Sequence, residues 1–189
     1  SATTINHGLG VVPEMMWVKA RSHAVNWAVY HKDLSAGQYL RLNATNAVDT
    51  NSAYFTTTAP TSSVFSIGVG EYTNQSSSHT YIAYLFATVP NVSKVGSYTG
   101  TSSSQNIDCG FSSGARFVLV KRYDGTDSWY VADSARGISS GQTDKILKLN
   151  STDAQFTESD NSADYIAPHA SGFNLPANSP FNGSGDDFI

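Results

Sequence analysis

A single cysteine, Cys109, stands in a chain of 189 residues. No internal disulfide framework can form, and no zinc cluster built from several thiols. Charge is scarce too. Asp, Glu, Lys and Arg make up 14%, against ~25% in an average soluble domain. Ser, Thr, Asn and Gly carry the solubility instead, a surface common in secreted and virion-surface β proteins. The net charge of −4 and pI near 5.6 give no basic footprint for nucleic acid. No apolar run approaches the ~18 residues of a membrane span. No stretch keeps a helical period. Without a helix there is neither a strand-to-helix elbow to expose a nucleophilic serine nor a phosphate-binding glycine loop leading into one.

What is present is a pattern written twice. Met15-Met16-Trp17-Val18-Lys19 leads to Trp27, and Phe117-Val118-Leu119-Val120-Lys121 leads to Trp129. Positions 18 and 120, 19 and 121, and 27 and 129 all differ by 102. Gly8 and Gly110 share that offset, as expected of a turn or bulge glycine. Further on, Leu42-Asn43 matches Leu149-Asn150 at an offset of 107, and Pro60 and Phe65 match Pro168 and Phe173 at 108. The change of offset places an insertion of about five residues in the loop Ser134 to Asp144, where added length costs little.

The matched segments read as strands. Met15 to Ala20 and Trp27 to Tyr30 form a hairpin, repeated by Arg116 to Arg122 and Trp129 to Ala132 with the turn signal Asp124-Gly125. Gln38 to Leu42 and Lys145 to Leu149 alternate as half-buried strands do. Tyr81 to Ala87 is a long apolar strand whose match begins at Phe188-Ile189, and Lys94 to Gly100 reads as one more strand. The expected fold is all-β: a duplicated antiparallel β-sandwich, jelly-roll or concanavalin-like, with two pseudo-symmetric halves, 1–92 and 93–189, packed as one compact unit. The start at Ser-Ala-Thr-Thr and the stop inside a strand read as cut ends of a longer polypeptide. The open strand edge this leaves predicts a homo-oligomer, with a trimer favoured.

Gly96-Ser97-Tyr98-Thr99-Gly100, Ile107-Asp108-Cys109-Gly110-Phe111, Ser128-Trp129-Tyr130-Val131, Asp133-Ser134-Ala135-Arg136-Gly137 and, in the first copy, Asn26-Trp27-Ala28-Val29-Tyr30-His31 carry a resemblance. They are similar to an uncharacterised domain of tailed-phage virion proteins, frequent in tail-fibre-like chains of phages with marine and cyanobacterial hosts. The resemblance covers nearly the whole chain and implies an extracellular, virion-surface location. In that family the closing strand continues past the equivalent of Ile189, so this one is expected to be incomplete. The family supplies no catalytic or binding residue.

Trp27 and Trp129, with Tyr30 and Tyr130 close behind, are the candidate ligand-binding residues, because aromatic faces stack on sugar rings. On a strand Trp27 and Tyr30 face opposite ways, as do Trp129 and Tyr130, so at most one of each pair is in the core. The competing reading makes both tryptophans core anchors. His7, His23, His31, His79 and His169 show no zinc spacing. Three acidic groups, Asp124/Asp127/Asp133, Glu158/Asp160/Asp164 and Asp186/Asp187, offer oxygen ligands for calcium, although no twelve-residue calcium loop is present. Paired carboxylates are also what a glycosidase needs. Asn43, Asn91 and Asn150 lie in Asn-x-Ser/Thr sequons, read as chance in so Ser/Thr-rich a chain.

These observations lead to a non-enzymatic virion domain of a tail fibre, spike or other appendage, with adhesion to host-surface glycans as its further expected role. No catalytic residue, metal or cofactor is expected, with calcium as the alternative. Other virion chains are the expected partners. A tail-spike-type polysaccharide-degrading enzyme and a pure scaffold are the rival readings.

Overall fold

A computed structural model describes residues 2–138, 144–157 and 165–189. It divides into two units, Ser1–Thr88 and Val89–Ile189. The division falls at a tight turn, in which Val89 bridges Ser93 and Asn91 takes a positive φ of 60°, rather than at residue 92. Among the described residues there is no α-helix, and the single 3-10 turn is Pro180–Asn182. The chain is all-β and its strands pair antiparallel throughout.

The first unit contains β1 (Thr3–Asn6), β2 (Met15–Ala20), β3 (Ala28–His31), β4 (Gln38–Arg41), β5 (Asp49–Thr50), β6 (Val64–Ile67) and β7 (Tyr81–Phe86). One sheet runs β5-β4-β3-β2-β7 and a second pairs β1 with β6. The period-two pattern of β2 explains the core. Met16 and Val18 turn inward to pack with Ala28, Tyr39, Phe65 and Ile67, while Trp17 and Lys19 turn to the opposite face.

The second unit contains β8 (Tyr98–Thr99), β9 (Gln105–Asp108), β10 (Phe117–Lys121), β11 (Trp129–Asp133), β12 (Lys145–Lys148), β13 (Phe156–Thr157), β14 (Ala167–His169), β15 (Gly172–Leu175) and β16 (Asp187–Phe188). Its sheets are β10-β11-β12-β13, β14-β15-β9 and β16-β8. Val118, Val120, Ile146, Ile166, Leu175 and Phe188 are central to its core. Of the expected strand Lys94 to Gly100, only Tyr98 and Thr99 pair.

The pairings of the two units carry matching residue numbers. Met15↔His31 corresponds to Phe117↔Asp133, and Ala28↔Arg41 to Tyr130↔Lys148. Gln38↔Thr50 corresponds to Lys145↔Thr157, and Thr3↔Ile67 to Gln105↔Leu175. Each correspondence uses an offset of 102, 107 or 108, as the sequence does. A one-residue slip would exchange inner and outer faces, so agreement of register is a strict test of likeness.

Phe188 pairs with Tyr98 on one side and bridges Arg122 on the other, and both it and Ile189 are buried.

His31 is 2% exposed. Burial pushes its imidazole from 6.5 down to about 4, against the raising influence of Asp33, because a buried cation loses its hydration. The unfolded chain takes up that proton near 6.5 while the folded chain does not, so this contribution to stability is present above that pH and is lost as pH falls through about 4. Urea midpoints measured from pH 6.5 towards about 4 should therefore fall, with His31 accounting for up to roughly 3 kcal/mol. His31→Leu should flatten that fall. An equally steep slope in the variant would assign it to other groups.

Candidate functional site

The hairpin turns between β2 and β3, and between β10 and β11, are held by the same two side chains. Lys19 Nζ donates to the Val25 carbonyl at 2.7 Å, and Lys121 Nζ to the Asp127 carbonyl at 2.8 Å. The Trp27 N–H donates to Asn43 Oδ1 at 2.9 Å, and the Trp129 N–H to Asn150 Oδ1 at 2.7 Å. Asn43 and Asn150 thus close turns, which gives these two sequons a structural purpose. Lys121 is 0% exposed, and burial depresses its ammonium to about 8 despite Asp127 nearby.

The four candidate aromatics go to different places. Tyr30 and Tyr130 sit on the inner faces of their sheets. Tyr30 packs on Phe55 with ring centroids 5.7 Å apart, and Tyr130 packs on Phe181 at 5.0 Å while its hydroxyl donates to Asp127 Oδ1. Trp129 is 1% exposed. A sugar ring needs a free aromatic face, and Trp129 offers none. Tyr30 and Tyr130 are half-buried, as Trp27 is, with their rings packed against the cores of their units.

Trp27 turns the other way. It is half-buried on the outer face of the first sheet and lies near-parallel to Tyr84, centroids 6.2 Å apart and planes 28° apart. Tyr84 is 44% exposed, and Ile82 beside it on β7 is 39% exposed. Trp17 and Phe86 pair on the same face at 4.7 Å. Tyr84 was missed because Tyr81 to Ala87 reads as one apolar run. The available signal was parity with Lys19 and Trp17, to which Ile82 and Tyr84 are registered.

A shallow cleft of about 470 Å³ opens beside the turn, lined by Lys19, Ala24, Val25, Asn26, Glu71 and Tyr72. Asn26 Nδ2 donates to the Tyr72 hydroxyl at 2.9 Å, while Asn26 Oδ1 accepts from Asn43 Nδ2 at 2.9 Å. Tyr72 stacks on Tyr54 at 4.3 Å. The Glu71 carbonyl accepts from His23 and Tyr81, and its side chain is exposed. Lys19 and Glu71, which both line the cleft, are residue types that suit the hydroxyls of a polar ligand.

The acidic groups are otherwise engaged. Asp124 and Asp186 each pair with Arg122 at 2.9 Å, Asp133 pairs with Arg136, and Asp187 accepts from Thr99. Glu158, Asp160 and Asp164 lie outside the described residues. Among the described residues no three metal-ligating side chains gather. His23 and His79 stack at 4.0 Å, a contact that sequence spacing did not indicate. Gly137-Ile138-Ser139-Ser140-Gly141 has the letter spacing of a nucleophile elbow. Its described part belongs to a turn after β11, in which the Gly137 and Ile138 N–H groups both donate to the Asp133 carbonyl, and Ser139 lies outside the described residues.

Trp129→Ala should lower stability by about 3–5 kcal/mol, the cost of emptying a buried aromatic site. Trp27→Ala should cost less than half as much, because part of that ring is already in water. Denaturant melts of the two variants check the order, and equal losses would place Trp27 in the core.

No curated protein matches the chain. No solved structure matches it either. The family model for a Domain of unknown function (DUF7483) matches residues 1–189, and the chain belongs to that family.

Proposed function

We propose that the two units are copies of one antiparallel β-sandwich, and that the chain is a non-enzymatic display domain of a phage virion appendage that adheres to host-surface glycans. The repeated registers and the repeated Lys and Asn turn closures support the duplication. The sparsely charged Ser/Thr/Asn/Gly surface supports a place outside the cell, at the virion surface. The sequence resemblance to tail-fibre-like chains supports the appendage.

One observation carries the glycan reading: Trp27 lies against the exposed Tyr84 on an outer sheet face. The C–H face of a pyranose stacks on such a surface, and the cleft next to Asn26 supplies Lys19 as donor and Glu71 as acceptor for ring hydroxyls. Each contact of this kind is weak. Display on a trimeric appendage multiplies it through effective concentration, without any new contact.

A glycan array probed with the whole chain tests this reading, with released oligosaccharide followed in parallel. Retention on a subset of glycans is expected without product. Trp27→Ala and Tyr84→Ala should each cut retention at least about tenfold, equivalent to ~1.4 kcal/mol, when assayed well below the melting temperature of each variant. Retention that ignores both substitutions would end the stacking reading, and steady product release would replace adhesion by hydrolysis. Light scattering at micromolar concentration should show trimers, and a pure monomer would remove the oligomer from the proposal.

A further inference from the structure

The lysines and arginines of the first unit fall into two sets. Among the described residues Lys32 pairs with Glu14 at 2.9 Å and Arg41 with Asp49 at 3.0 Å, whereas Lys19 and Arg21 form no ion pair. Both unpaired cations belong to the outer row of β2. The Arg21 N–H donates to the Thr80 carbonyl at 2.8 Å, which carries the β2–β7 ladder one residue past Ala20. Alternation then sets Arg21 on the side of Trp17 and Lys19, with successive members of the row about 7 Å apart. Arg21 is exposed. Lys19 is half-buried and gives one of its ammonium protons to Val25, which leaves two.

The aromatic surface adjoins this row. Tyr84 is registered with Trp17 and Ile82 with Lys19, so the Trp27–Tyr84 surface lies one step from Lys19 and two from Arg21. Glu71 is the one acid among the residues lining the cleft, and it forms no ion pair among the described residues. Two cations against one carboxylate leave a local positive excess on a chain whose net charge is −4. The second unit lacks this arrangement. Lys121, the match of Lys19, is 0% exposed, and Tyr123 stands at the match of Arg21. Its Arg122 is taken by Asp124 and Asp186. Lys19 thus serves the shared hairpin, but Arg21 does not.

On the glycan reading of this face, we infer that its ligand is an acidic saccharide: a hexuronic-acid unit that lays its ring on Trp27 and Tyr84 and turns its carboxylate to Lys19 and Arg21. The aromatic pair accepts a pyranose through its C–H face and selects no charge. The unpaired cations supply the selection. A carboxylate gains charge-assisted hydrogen bonds from ammonium and guanidinium, and the planar fork of Arg21 can receive both its oxygens. A neutral sugar makes no such bond.

Oligomers of glucuronic, mannuronic and galacturonic acid are immobilised, each beside its carboxyl-reduced neutral form and a sulfated neutral glycan, and probed with the whole chain. At least one hexuronate should be retained about tenfold or more over its reduced form, the worth of one charge-assisted hydrogen bond. That ratio should fall as salt is raised from about 0.05 to 0.5 M, because exposed charges are screened. Arg21→Gln should lower the ratio, and Glu71→Gln, which removes a like charge, should raise it. Both side chains are exposed, so each variant should melt as the unmodified chain does. Hexuronates retained no better than their reduced forms, retention of the sulfated glycan alone, or a ratio that ignores both substitutions would overturn the acidic ligand and leave the stacking reading standing. Retention of no saccharide, acidic or neutral, would bring down both.

Discussion

Much of this structure depends on how a hairpin turn disposes of its own backbone groups. The turn after β2 carries a carbonyl at Val25 and an N–H at Trp27 that have no ladder partner. Lys19 satisfies the first and Asn43 the second. Leaving such a group unpaired in a part-buried place costs about 1–3 kcal/mol, more than most surface contacts return. The second unit meets the same demand with Lys121 and Asn150. A lysine in the middle of an apolar strand therefore serves its own hairpin. In the second unit the arrangement is demanding enough that the lysine is wholly buried and its ammonium is held far below its ordinary range. The position of the Trp follows, since its N–H is what the Asn receives.

Around this shared frame the two cores are filled differently. Arg41 pairs with Asp49 at 3.0 Å in the first unit. At the matching places in the second, Lys148 lies over the ring of Phe156 at 5.6 Å. Tyr39, in contact with Tyr54 and Tyr72, occupies the position that Ile146 takes in the second unit. Both solutions keep the strand register, which shows that the register does not depend on which side chains fill the space. Hydrophobic alternation and turn closure set it, and volume and polarity are free to vary behind it. The polar solution of the first unit leads outward to Asn26 and the cleft.

That freedom explains how far the sequence could be read. The strands Gln38–Arg41 and Lys145–Lys148 lie within the ranges expected, because alternation and a fixed offset are local signals. The faces of Trp27 and Tyr30 were correctly opposed for the same reason. What parity cannot say is which face is wet. Trp129 and Trp27 occupy matching positions in the two registers, yet one is buried and the other half-buried. Tyr84 was hidden inside an apolar run because a strand at a sheet edge is half-exposed even when its residues are hydrophobic.

The Trp27–Tyr84 pair joins residues far apart in sequence, one next to an early hairpin and the other on the last strand of its unit. The hairpin of β2 and β3 closes locally, whereas β7 must return across the length of the unit before it can dock on β2. Non-local pairings of this kind form late, because the entropy of closing the loop is spent before any contact repays it. The Trp27–Tyr84 contact exists only where β7 lies beside β2. A chain in which β7 is not docked could keep the β2–β3 hairpin yet would lack this contact, so the contact doubles as a certificate that the last strand of the unit is in place.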